Sequence, residues 1–197
     1  MGLRNDVAAR YRAPLTTDNG VEGGTDRTIG GVASVEIVAS AAITGTTETR
    51  AVFDQNYTIP ALTLQVGTLV RVRAAVFHTA TTGTETYTLA VALGATDLAV
   101  TGNLTQNDNG ADIIDFSFVC RSTGATGTVV GAGVVTSTAR AAAVTATHGL
   151  FTGATSTSTV AIDTTGTLVL GIAIDRQGTA TDSDSCRLDY LTVEIIG

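Results

Sequence analysis

The sequence predicts an all-β fold, an antiparallel jelly-roll-like β-sandwich led by an extended N-terminal arm. Composition is the first reason. Thr, Ala, Val and 22 Gly dominate the 197 residues, while Lys and Trp are absent and Met occurs once. Thr and Val are stiff at χ1 and favour pleated strands, and Gly supplies turns. Periodicity is the second reason. From Val32 onward apolar residues recur at every second position, broken by Gly/Thr/Asp turns about every 8–14 residues, as in sandwiches and barrels. Third, no segment of helical period lies between the strands, which removes a parallel α/β fold. With 44% hydrophobic residues, a domain of this length buries roughly 70% of its unfolded surface and folds without metal or disulfide.

Residues 1–31 are read as the arm and residues 32–197 as the sandwich. The arm is polar and rich in turn formers, with a short helical stretch over residues 4–12 that Pro14 would end. Val35, Ile37, Ala39, Ala41 and Ile43 then share one face of a first strand. Residues 49–59 are extended but interrupted near Asp54, Gln55 and Asn56. Val70, Val72, Ala74 and Val76 line one face of the next strand, with Arg71, Arg73, Ala75 and Phe77 opposite. After a turn over residues 81–84, Tyr87, Leu89, Val91 and Leu93 alternate with small residues. Leu98 and Val100 mark a short strand that enters a polar loop over residues 105–110.

The second half repeats this grammar. Ile114, Phe116, Phe118 and Cys120 form an apolar face against Asp115, Ser117 and Arg121. Val129-Val130 and Val134-Val135 flank Gly131-Ala132-Gly133, which predicts a bulge or a close approach of backbones. Residues 141–147 read as a strand or a short helix. Val160 and Ile162 precede a turn, and Leu168, Leu170, Ile172 and Ile174 alternate cleanly. Residues 186–196 form the last of nine or ten strands.

Charge limits the partners. Eleven Arg oppose 18 acids for a net of −7, so a phosphate backbone is repelled and nucleic-acid binding is disfavoured. The arm balances Arg4, Arg10, Arg12 and Arg27 against Asp6, Asp18, Glu22 and Asp26, which leaves the whole excess on the body. No apolar run reaches the ~20 residues of a membrane helix. The first residues lack the apolar core of a secretory signal, and Asp6 sits where a myristoylation signal needs Ser or Thr. No membrane partner is expected. Charged residues make up 15% of the chain, against about 25% in ordinary soluble domains. A surface so poor in ions is a candidate contact surface.

The sequence offers no catalytic constellation and no cofactor motif. His78 and His148 have no acid placed beside them by sequence, His148 reads as part of a turn, and no G-x-S-x-G elbow occurs. Residues 105–112 resemble a calcium loop but start with Thr105 and end their twelve positions on Phe116 rather than Glu, so an Asn-Gly turn is the better reading. Asp182 and Asp184 could form a weak surface cation site. Without Trp, carbohydrate stacking would fall to Tyr11, Tyr57, Tyr87 or Tyr190. Cys120 and Cys186 lie in apolar alternating segments and read as buried thiols, with a bridge between their strands as the alternative. Arg71 and Arg73, two apart on one face, are either a clamp on a partner's carboxylates or cross-strand partners of Asp115 or Glu85.

The stretch Asn56-Tyr57-Thr58-Ile59-Pro60-Ala61-Leu62-Thr63-Leu64, followed by Val66-Gly67-Thr68-Leu69-Val70-Arg71-Val72-Arg73-Ala74, resembles a module of tailed-bacteriophage virion proteins. In that family a tyr-x-ile-pro segment leads through a small turn into a strand, and a tyr-thr-leu-x-val-x-leu-gly strand follows. Tyr87-Thr88-Leu89-Ala90-Val91-Ala92-Leu93-Gly94 matches the latter. Asp163-Thr164-Thr165-Gly166-Thr167-Leu168-Val169-Leu170 and Leu191-Thr192-Val193-Glu194-Ile195-Ile196 fit its closing pattern. The resemblance spans residues 48–197. It implies a jelly-roll structural protein of the virion, on the capsid or on tail or fibre parts, and such proteins commonly form trimers.

The expected function is therefore a capsid decoration (cement) protein, made in the host cytoplasm and resident in the virion. It would act as a homo-oligomer, a trimer, with the major capsid protein as partner. Arg4, Arg10, Tyr11 and Arg12 of the arm are the expected docking contacts, and Arg71 and Arg73 the candidate inter-subunit contacts. The alternative is a tail, fibre or head-fibre component that touches a host receptor through exposed loops such as residues 101–110 or 179–185.

Overall fold

The computed structural model describes residues 31–36, 39–44, 50–79, 85–106, 109–139, 146–152, 159–177 and 185–197. These residues form thirteen strands and no helix: β1 (Gly31–Glu36), β2 (Ile43–Thr44), β3 (Ala51–Ile59), β4 (Leu69–Thr79), β5 (Glu85–Leu93), β6 (Thr96–Thr101), β7 (Leu104–Gln106), β8 (Gly110–Ser122), β9 (Gly127–Ala139), β10 (Ala146–Thr152), β11 (Val160–Ile162), β12 (Leu168–Gln177) and β13 (Ser185–Ile196). Every pairing is antiparallel. The extra strands beyond the nine or ten expected are short ones that the alternation is too brief to reveal.

Two antiparallel sheets form a sandwich-like arrangement, consistent with a jelly roll. The first runs β1-β13-β4-β8-β9-β10, with β2 on β13 and β11 on β9; the second runs β6-β5-β12-β3, with β7 on β5. β10 joins them, since Ala146 to Leu150 pair with β9 while Phe151 and Thr152 pair with Thr101 and Val100 of β6. His148 therefore lies in a strand opposite Thr136, not in a turn. Of the expected element over residues 141–147, the last two belong to β10 and the others lie outside the described residues.

Alternation places the core as the sequence predicts. Val70, Val72, Ala74 and Val76 of β4 face Leu89, Val91 and Leu93 of β5 and Leu170, Ile172 and Ile174 of β12 in one buried cluster. Phe116 and Phe118 add their rings, with centroids 6.4 Å apart. Each large side chain so buried stabilises the fold by about 1.5–3 kcal/mol.

Three local expectations change. Val35 to Ile43 is not one strand, because the chain leaves β1 after Glu36 and turns Ser40 inward. There the Ser40 N–H donates to the Leu188 carbonyl at 2.8 Å, and the Leu188 N–H donates to Ser40 Oγ at 2.9 Å. β3 runs through Asp54 as one strand, but its pairing breaks where the sequence predicts an interruption, since Val52 pairs with Ala173 and Asn56 with Gly171 and residues 53–55 between them have no register partner. The Gly131-Ala132-Gly133 segment carries no bulge. Its ladder with β8 is regular, and the glycines serve close approach: a Cβ on Gly131 would lie 2.6 Å from Phe116 Cζ, and one on Gly133 would lie 2.5 Å from the Asp115 carbonyl. A bulge does occur in β13 between Leu188 and Tyr190. It shifts the phase by one residue, so Leu188 before it and Leu191 and Val193 after it all face the core.

Candidate functional site

On the outer face of the first sheet the strand register arranges side chains in rows. Tyr190, Ala75, Ile113 and Thr136 form one row, and Thr192, Arg73, Asp115 and Val134 the next. Arg73 is ion-paired with Asp115 at 3.3 Å, as one of the two expectations held. Arg71 pairs instead with Glu194 at 3.7 Å. Glu85, the other acid considered for these arginines, belongs to β5 of the second sheet. Both arginines stay exposed, and exposed pairs of this kind contribute about 0–1 kcal/mol. Arg187 lies over the Phe77 ring at 5.3 Å and donates to Asp189 at 2.8 Å. Between these ions sit Ile113 and Val134, 39% and 42% exposed.

The inner face of the same sheet holds a constellation that the sequence reading missed. His78 ends the buried row of β4, and Asp112 and Ser137 face it from β8 and β9; Tyr87 reaches it from β5 of the other sheet. The Tyr87 hydroxyl donates to Asp112 Oδ2 at 2.6 Å, and the Ser137 hydroxyl donates to Oδ1. His78 Nε2 lies 2.8 Å from Oδ2. A carboxylate only accepts, so the imidazole proton sits on Nε2. The rings of His78 and Tyr87 are in contact, with centroids 4.4 Å apart and planes tilted by 31°. His78 and Asp112 are each 1% exposed. Arg176, also buried, stands opposite Tyr87 in the register of β12 and β5.

The connectivity differs from a Ser-His-Asp relay. In such a relay the imidazole bridges hydroxyl and carboxylate, whereas here the hydroxyls and the imidazole all converge on the carboxylate. His78 Nδ1 is buried without a hydrogen-bond partner. The arrangement is a carboxylate hub that ties the two sheets together from within. A signal for it exists in the sequence: Asp112 is in phase with Ile114, Phe116 and Phe118, and His78 with Val72, Ala74 and Val76. Polar residues in phase with a core must find partners there.

The remaining candidates are placed as follows. Arg4, Arg10, Tyr11 and Arg12 lie outside the described residues, as do Asp182 and Asp184. Thr105 and Gln106 belong to β7 and Asp112 to the buried hub, so only part of the expected polar loop lies between strands. Thr101 and Leu104 are buried, which removes them from an exposed receptor loop. Tyr87 is buried in the hub, and burial raises the pKa of the half-buried Tyr57. Cys120 and Cys186 are both buried. Cys186 pairs with His78 at one end of β4, while Cys120 lies past Leu69 at the other, about 30 Å away at ~3.3 Å per residue. A bridge needs Cα atoms within about 7 Å. Burial raises the Cys120 pKa, with a backbone hydrogen bond of Ser122 as the smaller opposing cause. Among the described residues no group of three or more His, Cys, Asp or Glu is placed to hold a metal ion. No protein-family model matches the chain, and no curated protein matches it.

Proposed function

We propose that the protein is a structural component of a bacteriophage virion, a decoration protein that oligomerises on the capsid and stabilises it. The observation that carries this reading is the outside of the sandwich. Both sheets turn apolar side chains to solvent, Ile113 and Val134 on the first and Val52 and Val169 on the second. Paired faces of this kind need covering, and a body with few ions on its exterior is suited to contacts on several sides. The resemblance of residues 48–197 to tailed-phage virion modules supports the setting and the trimer; the arm lies outside the matched residues, and its docking role rests on the basic cluster Arg4, Arg10 and Arg12. Several modest contacts on one rigid oligomer hold far more tightly than a single one.

Electron microscopy of the virion tests the proposal. A decoration protein occupies hundreds of equivalent capsid positions, and deletion of residues 1–31 abolishes occupancy while the sandwich stays folded. Density confined to a tail or fibre, in a few dozen copies or fewer, would instead support receptor attachment. Undiminished occupancy after the deletion would remove the arm from the docking scheme.

A further inference from the structure

One end of the sandwich is built from three turns bonded to one another: residues 60–68 between β3 and β4, residues 123–126 between β8 and β9, and residues 163–167 between β11 and β12. The Gly67 N–H donates to the Cys120 carbonyl at 2.8 Å, the Leu62 N–H to the Thr164 carbonyl at 3.2 Å, and the Thr164 N–H to the Gly124 carbonyl at 3.1 Å. On this base Leu62 takes a φ of 64°, a left-handed conformation that turns ordinarily give to Gly or Asn. Gln65 holds it there, its Nε2 donating to the Leu62 carbonyl at 2.7 Å. The Leu62 side chain gains no burial in return. It is 61% exposed, and Val66 of the same turn is 57% exposed, the two highest values for large apolar residues among those described. Strain and exposure both count against the folded chain, so their use lies outside it. The three turns carry one ionic side chain, Asp163, and Thr165 binds its carboxylate back.

We infer that this end is the foot of the molecule, with Leu62 and Val66 as knobs that seat in an uncharged, apolar pocket of the capsid shell; this rests on the virion placement in the proposed function. Chain direction agrees. β1 opens with Gly31, which pairs with Ile195, and Ile195 pairs with Val70, just past the 60–68 turn. Residues 1–30 therefore join the sheet at this end, about 10 Å from β4 across two strand spacings, so the proposed docking arm and the knobs start from one side. Size decides between a shell and a second copy. Four strands at ~4.8 Å and two sheets ~10 Å apart frame an end of roughly 200 Å², far short of the about 800 Å² per partner of a stable protein pair. Two copies joined end to end would not hold. A shell repeats its pockets, and an oligomer sets several knobs on it at once, which turns weak contacts into tight binding. Turns fixed before docking also lose little freedom on it. The hub of His78 and Asp112, at the other end of β4 and β8, then lies on the side away from the shell.

Phage particles assembled without this protein, decorated with the purified full chain and viewed by electron microscopy, test the inference. The unaltered chain is expected to bind with its Leu62 end against the shell. Leu62→Gly removes a knob and relieves the backbone, so the thermal midpoint should not fall while the concentration for half occupancy rises about tenfold or more. Val66→Ser should weaken occupancy in the same direction and stands in if the first variant does not fold. Val52→Ser, at an exposed apolar position on a sheet face, should leave occupancy unchanged. A shell bound by the opposite end overturns the inference; so does occupancy indifferent to both knob variants, or lost as readily with Val52→Ser. The proposed function survives each of those results. An unaltered chain that fails to bind the shell removes the proposed function, and the inference with it.

Discussion

The Tyr87 hydroxyl of one sheet donates a 2.6 Å hydrogen bond to the Asp112 carboxylate of the other. Both side chains are all but excluded from water, and a hydrogen bond to a charged group contributes about 1.5–3 kcal/mol. Tyr87→Phe deletes the hydroxyl and keeps the ring on His78. It should lower the unfolding free energy by that amount, read from urea midpoints at unchanged slope. Asp112→Ala leaves three donors without their acceptor and should cost more, about 3–5 kcal/mol. Equal losses in the two variants would mean that Asp112 is not the hub.

Gly133 lies against the backbone of β8, where an added Cβ would stand 2.5 Å from the Asp115 carbonyl and 2.7 Å from Phe116 Cα. Backbone cannot step aside as a flexible side chain can. Gly133→Ala should therefore destabilise the protein by about 1–3 kcal/mol, even though alanine normally suits a strand better than glycine. Gly102→Ala, at a position with open space, should change stability by less than about 0.5 kcal/mol. A thermal melt that ranks the two the other way refutes the close approach.

Asp163 accepts from the Thr165 hydroxyl at 2.6 Å and from the Thr165 N–H at 2.9 Å, and these bonds hold its pKa below the usual carboxylate value. Because the folded value is depressed, the associated stability is present above the unfolded pKa and is lost as pH falls through the folded one. The window therefore lies below about pH 4. Thr165→Val removes the hydroxyl bond, the larger cause, and keeps the N–H. Carbon-detected NMR titration should show the Asp163 midpoint move up toward the ordinary value; an unmoved midpoint would exclude the hydroxyl as the cause.

Alternation made most of the sandwich legible. β4, β5, β8 and β12 each bury a large apolar face along their length, which Val70 to Val76 or Leu168 to Ile174 show as a clean period of two, and β5 and β12 also bury Ala90, Ala92 and Ala173 on the other face. The pattern misled where small residues satisfied it without being in a strand: Ala39 and Ala41 keep the phase of Val35, yet Ser40 is the residue turned inward. The bulge in β13 was hidden for the converse reason, since Leu188, Tyr190 and Leu191 are all apolar enough for either phase. The hub stayed out of sight because Asp112 meets His78 across 34 positions and Tyr87 across 25, and pairing over such separations is set by sheet order. Arg71 found Glu194 for the same reason: β13 is its neighbour, which no local reading of β4 discloses.

β10 acts as the spine of a book. On that flank the two sheets are stitched by backbone ladders, whereas on the opposite flank β1 and β3 are the outermost strands. The covers are held shut there by residues 39–42, where Ser40 clasps Leu188 of one sheet and the Ala41 N–H reaches the Asp54 carboxylate of the other at 3.1 Å. The spine is no stronger on its far side, with two paired residues of β10 and β6 against three bonds at the clasp, so it is the core between them, rather than either edge, that keeps the leaves together.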